Sequence, residues 1–308
     1  RGAACLLSGG LDSSLIAALV SKYLRENGNE KLHTWSIGMN GSEDLKYAKM
    51  VAEHIGSIHH EIELTEDDFI NAIPRVIHDI ESNDTTTVRA SVGNYLVSKY
   101  ISENTDCKVI FNGDGSDEVC CGYVYLKNAP SMKELQSESE RLIKEIHYFD
   151  VLRSDRSISS NGLEARTPFL DKEFVTYYLS IPADLKKFDG EKRLEKHLLR
   201  KAFDHQGFLP YEVLWRRKCA FSDGVSSQKR SWHRIIQNFV DQLISDQEFF
   251  REKDSFKHCV PQLKESYYYR KIFESFFGRH DKLIPHFWMP KWVNTNDPSA
   301  RELNGYSE

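Results

Sequence analysis

The sequence predicts an α/β protein in which a parallel, twisted sheet carries helices on both faces and a large helical extension follows. Short apolar runs typical of strands alternate with helical periodicity through about residues 1–125. The spacing between the strand-like runs fits βαβ crossovers, which join parallel strands. From about residue 126 to residue 308 the strand signal fades, and helical patterns with charged faces dominate.

The ends of the first two strand–helix units can be located from the sequence. "AACLL" (3–7) predicts a short buried strand, and Ser13 to Arg25 predicts the helix that follows it. "HTWSIGM" (33–39) predicts the second strand. Ser42 is suited to cap the next helix, and Gly56 lies where that helix is expected to end.

The third unit carries a helix-start signal of its own. "HHEIEL" (59–64) alternates like a strand, and Thr65 with Asp68 has the form of a capping box. Pro74 is expected to begin a second helical piece, because proline favours the first turn of a helix. Val88 to Ile101 predicts the helix that leads back to the sheet.

The extension is predicted to be helical, for instance over Lys133 to Leu152 and Leu194 to Phe203. Neither an internal repeat nor a low-complexity linker separates it from the first part. The aromatic tail, with Trp288 and Trp292, is more typical of a packed core than of a cofactor site. We therefore expect the extension to pack on the α/β core as part of one unit of 308 residues.

Composition excludes several classes of function. The net charge is −5 with a sequence pI near 6.2, and the charges are mixed along the chain, which argues against nucleic acid or a membrane surface as the main partner. No apolar run approaches the roughly 20 residues of a membrane helix. The six cysteines form no CxxC pair and no zinc spacing, so reduced thiols in a cytoplasmic protein are expected.

The opening loop has the composition of an anion site. In "LLSGGLDSS" (6–14) a strand-like run ends at a glycine turn that leads into a helix, and free amides at a helix N-terminus attract phosphate. Gly9 and Gly10 allow close approach of the backbone. The hydroxyl donors are Ser8, Ser13 and Ser14. A carboxylate at Asp12 would repel phosphate without a cation, so Mg²⁺ is implied. The alternative is a tight connection whose serines only cap the helix.

A second loop of this kind follows the fourth predicted strand, "CKVIF" (107–111). "FNGDGSDEVCCGY" (111–123) contains three acids, Asp114, Asp117 and Glu118. It is not an EF-hand, because Asp117 stands where that loop requires glycine. In parallel sheets ligands lie at the carboxyl ends of strands, where both loops fall. The alternative is a solvated acidic turn.

A family resemblance rests on these loops and on further motifs. "SGGLDSS" resembles the pyrophosphate-binding motif of the ATP pyrophosphatase (PP-loop) group, whose fold is adenine nucleotide α-hydrolase-like. Nearly the whole chain is similar to the synthetase domain of glutamine-hydrolysing asparagine synthetase. The further matching segments are "IGM" (37–39), "TTVRASVGNYL" (86–96), "GDGSDE" (113–118), "FDVLRSDR" (149–156), "GLEARTPFLD" (162–171), "EKHLLR" (195–200), "LWRRKCAFSDG" (214–224) and "WMPKWVNTNDPSAR" (288–301).

The resemblance implies an activity and an ATP site. The activity is ATP-dependent amidation of aspartate to asparagine through β-aspartyl-AMP, with release of AMP and pyrophosphate. Ammonia is the nitrogen donor, normally supplied by an N-terminal glutaminase domain. The implied contacts to ATP come from Leu6, Ser8, Gly9, Gly10, Asp12, Ser13, Ser14, Ile37, Asn112 and Gly113. Asp12 and Asp117 match the carboxylates that hold Mg²⁺, and Asp114 matches the acid associated with adenylate formation and ammonia attack.

Two basic residues and two loop residues are further candidates. Arg89 and Lys218 are suited to bind a carboxylate or the α-phosphate, Arg89 as a planar fork and Lys218 as a movable point charge. The alternatives are a surface ion pair for Arg89 and a solvated basic run for Lys218. Glu118 and Tyr123 are candidates to orient the loop or the substrate, and core roles are the alternative.

The sequence departs from the eukaryotic pattern Ser-Gly-Glu-Gly-Ser-Asp-Glu at Asn112 and Asp114. Other branches of the family use Asp at that position. The glutaminase half finds no match in this chain, so a glutaminase domain upstream or in trans is expected, and a homodimer is a further expectation. Two alternatives remain open: another adenylating amide-forming ligase, such as a β-lactam or peptide-modifying synthetase, and a catalytically silent nucleotide-binding relative.

Overall fold

The computed structural model describes residues 2–28, 31–219, 224–227 and 230–298. Its centre is a five-stranded parallel sheet in the order β3-β2-β1-β4-β5. The strands are β1 (Ala3–Leu6), β2 (His33–Met39), β3 (Ile58–Leu64), β4 (Val109–Phe111) and β5 (Glu164–Arg166). The predicted parallel sheet is therefore confirmed.

Helices connect the strands and form the extension. Those of the first part are α1 (Leu11–Glu26), α2 (Glu43–Ile55), α3 (Glu66–Ile80), α4 (Thr85–Asn104) and α5 (Ser116–Val119). Those that follow are α6 (Met132–Glu145), α7 (Asp150–Ser159), α8 (Lys172–Ser180), α9 (Ala183–Lys186), α10 (His197–Phe203), α11 (Tyr211–Leu214), α12 (Trp232–Leu243), α13 (Asp246–Glu252) and α14 (Lys264–Phe277). In the described part of the chain, none of them is long and apolar enough to cross a membrane.

The side chains of β1 separate the two faces of the sheet. Ala4 packs in a core formed with α3, α4, α12 and α14. Cys5 points to the other face, where the core is formed with α1, α2 and α10. Successive residues of a strand face opposite sides, so an apolar strand needs a cover on both. The predicted helices on both faces are confirmed.

The predicted helix signals are confirmed at α2 and α3, with one correction. The Ser42 hydroxyl accepts from Leu45 N at 3.3 Å, and Gly56 ends α2 with φ of 68°. Thr65 and Asp68 form the capping box, with Thr65 N donating to Asp68 Oδ2 at 2.8 Å. Pro74 does not begin a new helix, because α3 continues through it. Its buried apolar face stabilises the helix across the proline.

The sheet continues beyond the region where strand signals are visible. β5 lies in the predicted helical extension and pairs with β4, with Ala165 opposite Ile110. The part of the chain after residue 126, where the strand signal fades, therefore contributes one short strand to the sheet. "EAR" is three residues long and contains no β-branched or aromatic residue, so no local pattern marks it. The helix predicted over Lys133 to Leu152 is divided into α6 and α7 by a 3₁₀ turn, Ile146–Tyr148.

The strand order creates a topological switch point between β1 and β4. From β1 the chain moves to β2 and β3 on one side, and from β4 it moves to β5 on the other. The loops after β1 and β4 therefore meet at a crevice. A Cβ atom on Gly113 would lie 2.6 Å from Ser13 N, so only glycine permits this approach of the two loops.

Candidate active site

A cavity of about 260 Å³ lies at the switch point, and most of the sequence-predicted site residues line it. These are Leu6, Ser8, Gly10, Asp12, Ser13, Ile37, Arg89, Asn112, Gly113, Asp114, Asp117, Glu118, Tyr123 and Lys218. Two of the predicted residues, Gly9 and Ser14, do not line it. Gly9 packs on α2, where a Cβ would lie 2.4 Å from Ala48 N, and Ser14 is completely buried.

The opening loop leaves the N-terminus of α1 without a side-chain cap among the described residues. Gly10 is the capping residue, and it offers no side chain. The Ser8 and Ser13 hydroxyls lie 2.9 Å apart, and Ser13 Oγ also accepts from Ser8 N at 3.1 Å. Ser8 Oγ also accepts from the amide of the capping residue Gly10 at 3.3 Å, so the serines shape the loop, and no serine side chain caps the first turn of α1 beyond that residue. The first amides of α1 remain available to an anion at the cavity.

Two lysines link the carboxylates of the two loops. Lys196 Nζ lies 2.6 Å from Asp12 Oδ2 and 2.5 Å from Asp117 Oδ1. Lys218 Nζ forms an ion pair with the other oxygen of Asp117. Asp12 also accepts a hydrogen bond from Ser116 Oγ at 2.8 Å. The four charged side chains form a continuous row of ion pairs along the cavity wall, Asp12–Lys196–Asp117–Lys218. Their formal charges sum to zero.

Within this row of ion pairs, the neighbouring charges shift the pKa values of Asp117 and Lys196 in the directions that keep both groups ionised. Burial would raise the pKa of Asp117, but Lys196 and Lys218 outweigh burial and hold that pKa well below its usual value. Burial would lower the pKa of Lys196, but Asp117 and Asp12 raise it above its usual value. Both groups therefore stay ionised at neutral pH.

Tyr123 and Glu118 form a second layer behind Lys218. The Lys218 ammonium lies 4.8 Å from the centre of the Tyr123 ring, within the range of a cation–π interaction. Tyr123 Oη donates to Glu118 Oε1 at 2.5 Å. Burial, together with repulsion from Asp150 and Asp117, raises the pKa of Glu118 to about 8. That Tyr123 and Glu118 orient the loop or the substrate remains a prediction, and their contacts with each other and with Lys218 are consistent with it.

Asp114 is held by residues of α7. Arg153 Nη2 donates to Asp114 Oδ1 at 3.0 Å and also forms an ion pair with Asp150. Burial raises the pKa of Asp114, the Arg153 guanidinium lowers it, and Asp150 raises it, so the net direction is upward. The Asp114 side chain is 20% exposed, so part of the carboxylate faces the cavity.

Asn112 uses its side chain to build the second loop. Its Oδ1 accepts from Asp114 N at 3.2 Å, which closes a local turn, and its Nδ2 donates to Ser154 Oγ at 2.9 Å. Asn112 is buried, and a serine at this position would reach less far. The loop residues that depart from the eukaryotic pattern therefore both contact α7.

Arg89 already has two carboxylate partners within this chain. Its Nε and Nη2 donate to Glu265 at 2.7 and 2.6 Å, and its Nη1 donates to Asp297 at 2.7 Å. The Arg89 guanidinium is buried, so Arg89 forms ion pairs inside the protein and not the surface ion pair that was the alternative. Most of the guanidinium donors are occupied. A direct role toward substrate remains a prediction.

A segment of the C-terminal part, residues 288–298, closes one side of the cavity. Trp288 and Pro290 line it. Trp288 N donates to Asp84 Oδ1 at 2.8 Å, and Lys291 forms an ion pair of 2.6 Å with the buried Glu138. The expectation that Trp288 packs in a core is confirmed, because its ring contacts Tyr123 at a centroid distance of 5.2 Å.

The donor set at the cavity suits a magnesium ion that arrives with phosphates. No group of three His, Cys, Asp or Glu side chains within the described residues is arranged to hold a metal by itself. Mg²⁺ commonly takes only one or two carboxylates and completes its shell with phosphate oxygens and water. Asp12 and Asp117 provide two carboxylates that share one ammonium and are each 25% exposed. They fit this mode of binding.

Comparison with known proteins decides the family. The profile of the asparagine synthase family matches residues 2–138 and 127–296, which together span nearly the whole chain. The chain belongs to the asparagine synthase family. Glutamine-hydrolysing asparagine synthetases of Gallus gallus and Homo sapiens are 50% and 48% identical to it, each over 307 residues.

These relatives are longer than the chain. Each alignment covers 99% of this chain and 54% of the relative, so the chain spans about half the length of the curated proteins it matches. A solved structure described as a predicted subunit of a tRNA methyltransferase from Methanocaldococcus jannaschii covers 58% of this chain and 75% of its own, at 17% identity. Its TM-score of 0.30 is too low to support an argument.

Three residues at the cavity were not singled out by the sequence patterns, although they lie in segments similar to the asparagine synthase family. Lys196 comes from "EKHLLR", and Asp150 and Arg153 come from "FDVLRSDR". Lys196 lies in the left-handed region with φ of 56°, which is unusual for a residue other than glycine. Backbone strain at a buried lysine marks a functional position in a structure, but neither property is visible in the letters.

Proposed function

We propose that this chain catalyses the ATP-dependent amidation of aspartate to asparagine through a β-aspartyl-AMP intermediate. The observation that carries the proposal is the row of ion pairs Asp12–Lys196–Asp117–Lys218, which lies beside the uncapped N-terminus of α1. It combines positive groups for phosphates with carboxylates for a metal, at the switch point of a parallel sheet. Family membership then favours aspartate as the amino-acid substrate.

The nucleotide would lie across the two loops. Leu6 and Ile37 give the cavity an apolar wall suited to the adenosine, and the amides at the start of α1 face the phosphates. Mg²⁺ held by Asp12 and Asp117 would neutralise phosphate charge when bound. Since these two residues now share Lys196, the ion and the lysine would compete for the same carboxylate oxygens.

In the first step an aspartate carboxylate oxygen attacks the α-phosphorus of ATP. The bond from that phosphorus to the bridging oxygen breaks, and pyrophosphate leaves with the extra negative charge. Lys196 and Lys218 are placed to stabilise that charge, because both ammonium groups lie on the cavity wall. Removing either would leave Asp117 with a single cationic partner.

In the second step ammonia attacks the acyl carbon of the adenylate. The carbon–oxygen bond to AMP breaks, and one proton must leave the nitrogen. Asp114 is the candidate acceptor, because its carboxylate lies at the cavity and its pKa is raised by burial. A carboxylate with a raised pKa accepts a proton more readily than one exposed to water.

The experiment measures pyrophosphate release from Mg–ATP with each amino acid in turn, followed by product analysis with added ammonium. Stimulation by aspartate and formation of asparagine are expected. Preference for another carboxylate substrate would establish a different adenylating ligase instead. ATP binding without release under any substrate would establish the silent relative. Lys218→Met is the inactive control, because it removes one of the two cations that pair with Asp117 and leaves the loop residues themselves unchanged.

We also propose partners and a compartment. Ammonia is expected to come from a glutaminase domain, since the relatives are glutamine-hydrolysing, and dimerisation remains a proposal. Cys5, Cys120 and Cys121 are buried free thiols, consistent with a reducing cytoplasm. Size-exclusion chromatography with light scattering measures the oligomeric state directly.

A further inference from the structure

We propose that Arg153 is a positioning residue that fixes the Asp114 carboxylate for its reaction with the nitrogen donor. The inference rests on the proposed function, because it gives Asp114 a partner in that reaction. It concerns a residue that no sequence motif had assigned to the site. Its basis is the contact between α7 and the second loop.

The contact has two parts. Arg153 Nη2 bonds Asp114 Oδ1 at 3.0 Å, and its Nε bonds Asp150 Oδ1 at 3.2 Å. Asp150 Oδ2 in turn accepts from Gly115 N at 3.4 Å. Arg153 Nη2 also donates to Asp150 Oδ1, so one nitrogen of the guanidinium joins the carboxylates of Asp114 and Asp150. Arg153 is only 9% exposed in its side chain, so water does not replace these bonds.

The charges explain why an arginine is needed. Asp114 and Asp150 would be two buried like charges without a cation between them, and such a pair favours protonation of one member. Arg153 lies between the two carboxylates and bonds one oxygen of each. The three side chains together then carry one net negative charge. That charge can balance the positive charge that develops on an attacking nitrogen.

The length of the Asp114 side chain makes the arginine matter more. Aspartate has one methylene less than the glutamate of the eukaryotic pattern, so its carboxylate reaches less far from the backbone. The backbone amide of Asp114 donates to Asn112, whose side chain in turn donates to Ser154 on α7. The Asp114 carboxylate accepts from Arg153, which is also on α7. Backbone and side chain of Asp114 are therefore set by one helix.

The test compares Arg153→Met, Arg153→Lys, Asp114→Asn and the double variant Arg153→Met/Asp114→Asn. Arg156→Met is the matched control, since Arg156 lies one turn further on α7 and bonds Ile80 O and Glu81 at the surface. Ammonium-dependent asparagine synthesis, ATP affinity and thermal unfolding are measured for each. The wild-type protein is measured first, because a failure to make asparagine would refute the proposed function and not this inference.

Arg153→Met is expected to lower kcat for asparagine synthesis by about 10²-fold, with ATP affinity within about twofold. Arg153→Lys keeps the charge without the planar fork and is expected to recover part of the loss. The double variant is expected to be no slower than Asp114→Asn alone, because both changes remove one unit. Losses that multiply in the double variant, or equal losses in the Arg156→Met control, would overturn the proposal. If Arg153→Met does not fold, Arg153→Lys takes its place, and the single and double variants are compared in the same way.

Discussion

Asp12 joins the opening loop to Lys196 on the cavity wall. We predict that Asp12→Asn keeps the fold and lowers Mg²⁺-dependent pyrophosphate release by about 10²-fold or more. The reason is that the amide still accepts from Ser116 but loses the charge that attracts Lys196 or a metal. Asp106→Asn, at an exposed turn, is the control. Normal Mg²⁺ dependence in Asp12→Asn would remove this carboxylate from the metal site.

Asp114 tests whether charge or loop shape matters in the second loop. We predict that Asp114→Asn lowers asparagine synthesis by a factor of about 10² to 10⁴ and leaves ATP affinity nearly unchanged. Asp114→Glu restores the commoner residue and is expected to keep substantial activity. Initial rates and ATP binding are measured for both variants. Near-normal synthesis by Asp114→Asn would mean that only the turn, closed by Asn112, is required.

Residue identity alone indicated some of the site and missed the rest for a physical reason. Asp12, Asp114 and Asp117 could be found because glycine-rich loops after strands rarely carry several acids without a ligand. Lys196 could not, because a lysine in a helical segment usually has a solvated side chain. Its importance depends on burial and on the distant carboxylates of Asp12 and Asp117, of which Asp12 lies 184 positions away.

At the scale of elements, His59 on β3 contacts two side chains of β2 and is kept neutral by the fold. His59 Nδ1 lies 2.9 Å from Thr34 Oγ1, and its Nε2 lies 3.1 Å from Ser36 Oγ. Burial, with the charges on His60 and Lys49, lowers the pKa of His59 to about 4. A base whose pKa falls on folding contributes stability above its unfolded pKa near 6.5, and the contribution is lost as pH falls toward 4.

We therefore predict that the free energy of unfolding decreases between pH 6.5 and pH 4 in part through His59. Because the ring is partly exposed, solvent screening reduces its share to on the order of 2 kcal/mol. Urea unfolding at several pH values measures it, and His59→Gln is expected to flatten this part of the profile. His147→Gln, at an exposed histidine, serves as the control. An unchanged pH profile in His59→Gln would assign the dependence to other groups.

Elements were predictable from sequence where a local pattern specified them. The Thr65–Asp68 capping box and the Ser42 cap need only neighbours in the chain, and both were located correctly. β5 was missed because its three residues, Glu164–Arg166, become a strand only by pairing with β4. The continuation of α3 through Pro74 depends in the same way on packing across the whole helix.

At the scale of the whole molecule, a buried ion-pair cluster joins three distant segments. Arg89 on α4 binds Glu265 on α14 and Asp297 in the tail. We predict that Arg89→Met lowers the free energy of unfolding by about 3–5 kcal/mol, because it leaves two buried carboxylates without their cation. Urea unfolding measures the loss. The control is Arg251→Met, which removes an arginine whose side chain is 68% exposed and whose ion-pair partner Glu252 is 43% exposed.

The outcome also separates the two interpretations of Arg89. A large loss of stability would support the structural role that its contacts indicate. Unchanged stability with a selective rise in KM for aspartate would instead give Arg89 the substrate role predicted from its sequence context. The fold class was accessible from the first part of the chain, but these long-range contacts were not, because no local pattern couples residues so far apart.

The position of Asp297 has a consequence for the order in which the protein is made. Asp297 and Arg89 are 208 positions apart, and Trp288 and its bonding partner Asp84 are 204 apart. A ribosome completes the sheet and both glycine loops long before it adds these residues. A chain synthesised only as far as α14 lacks one wall of the crevice, because Trp288 is not yet present to pack against Tyr123. The wall of the cavity that contains Trp288 and Pro290 is completed only when residues 288–298 have also left the ribosome.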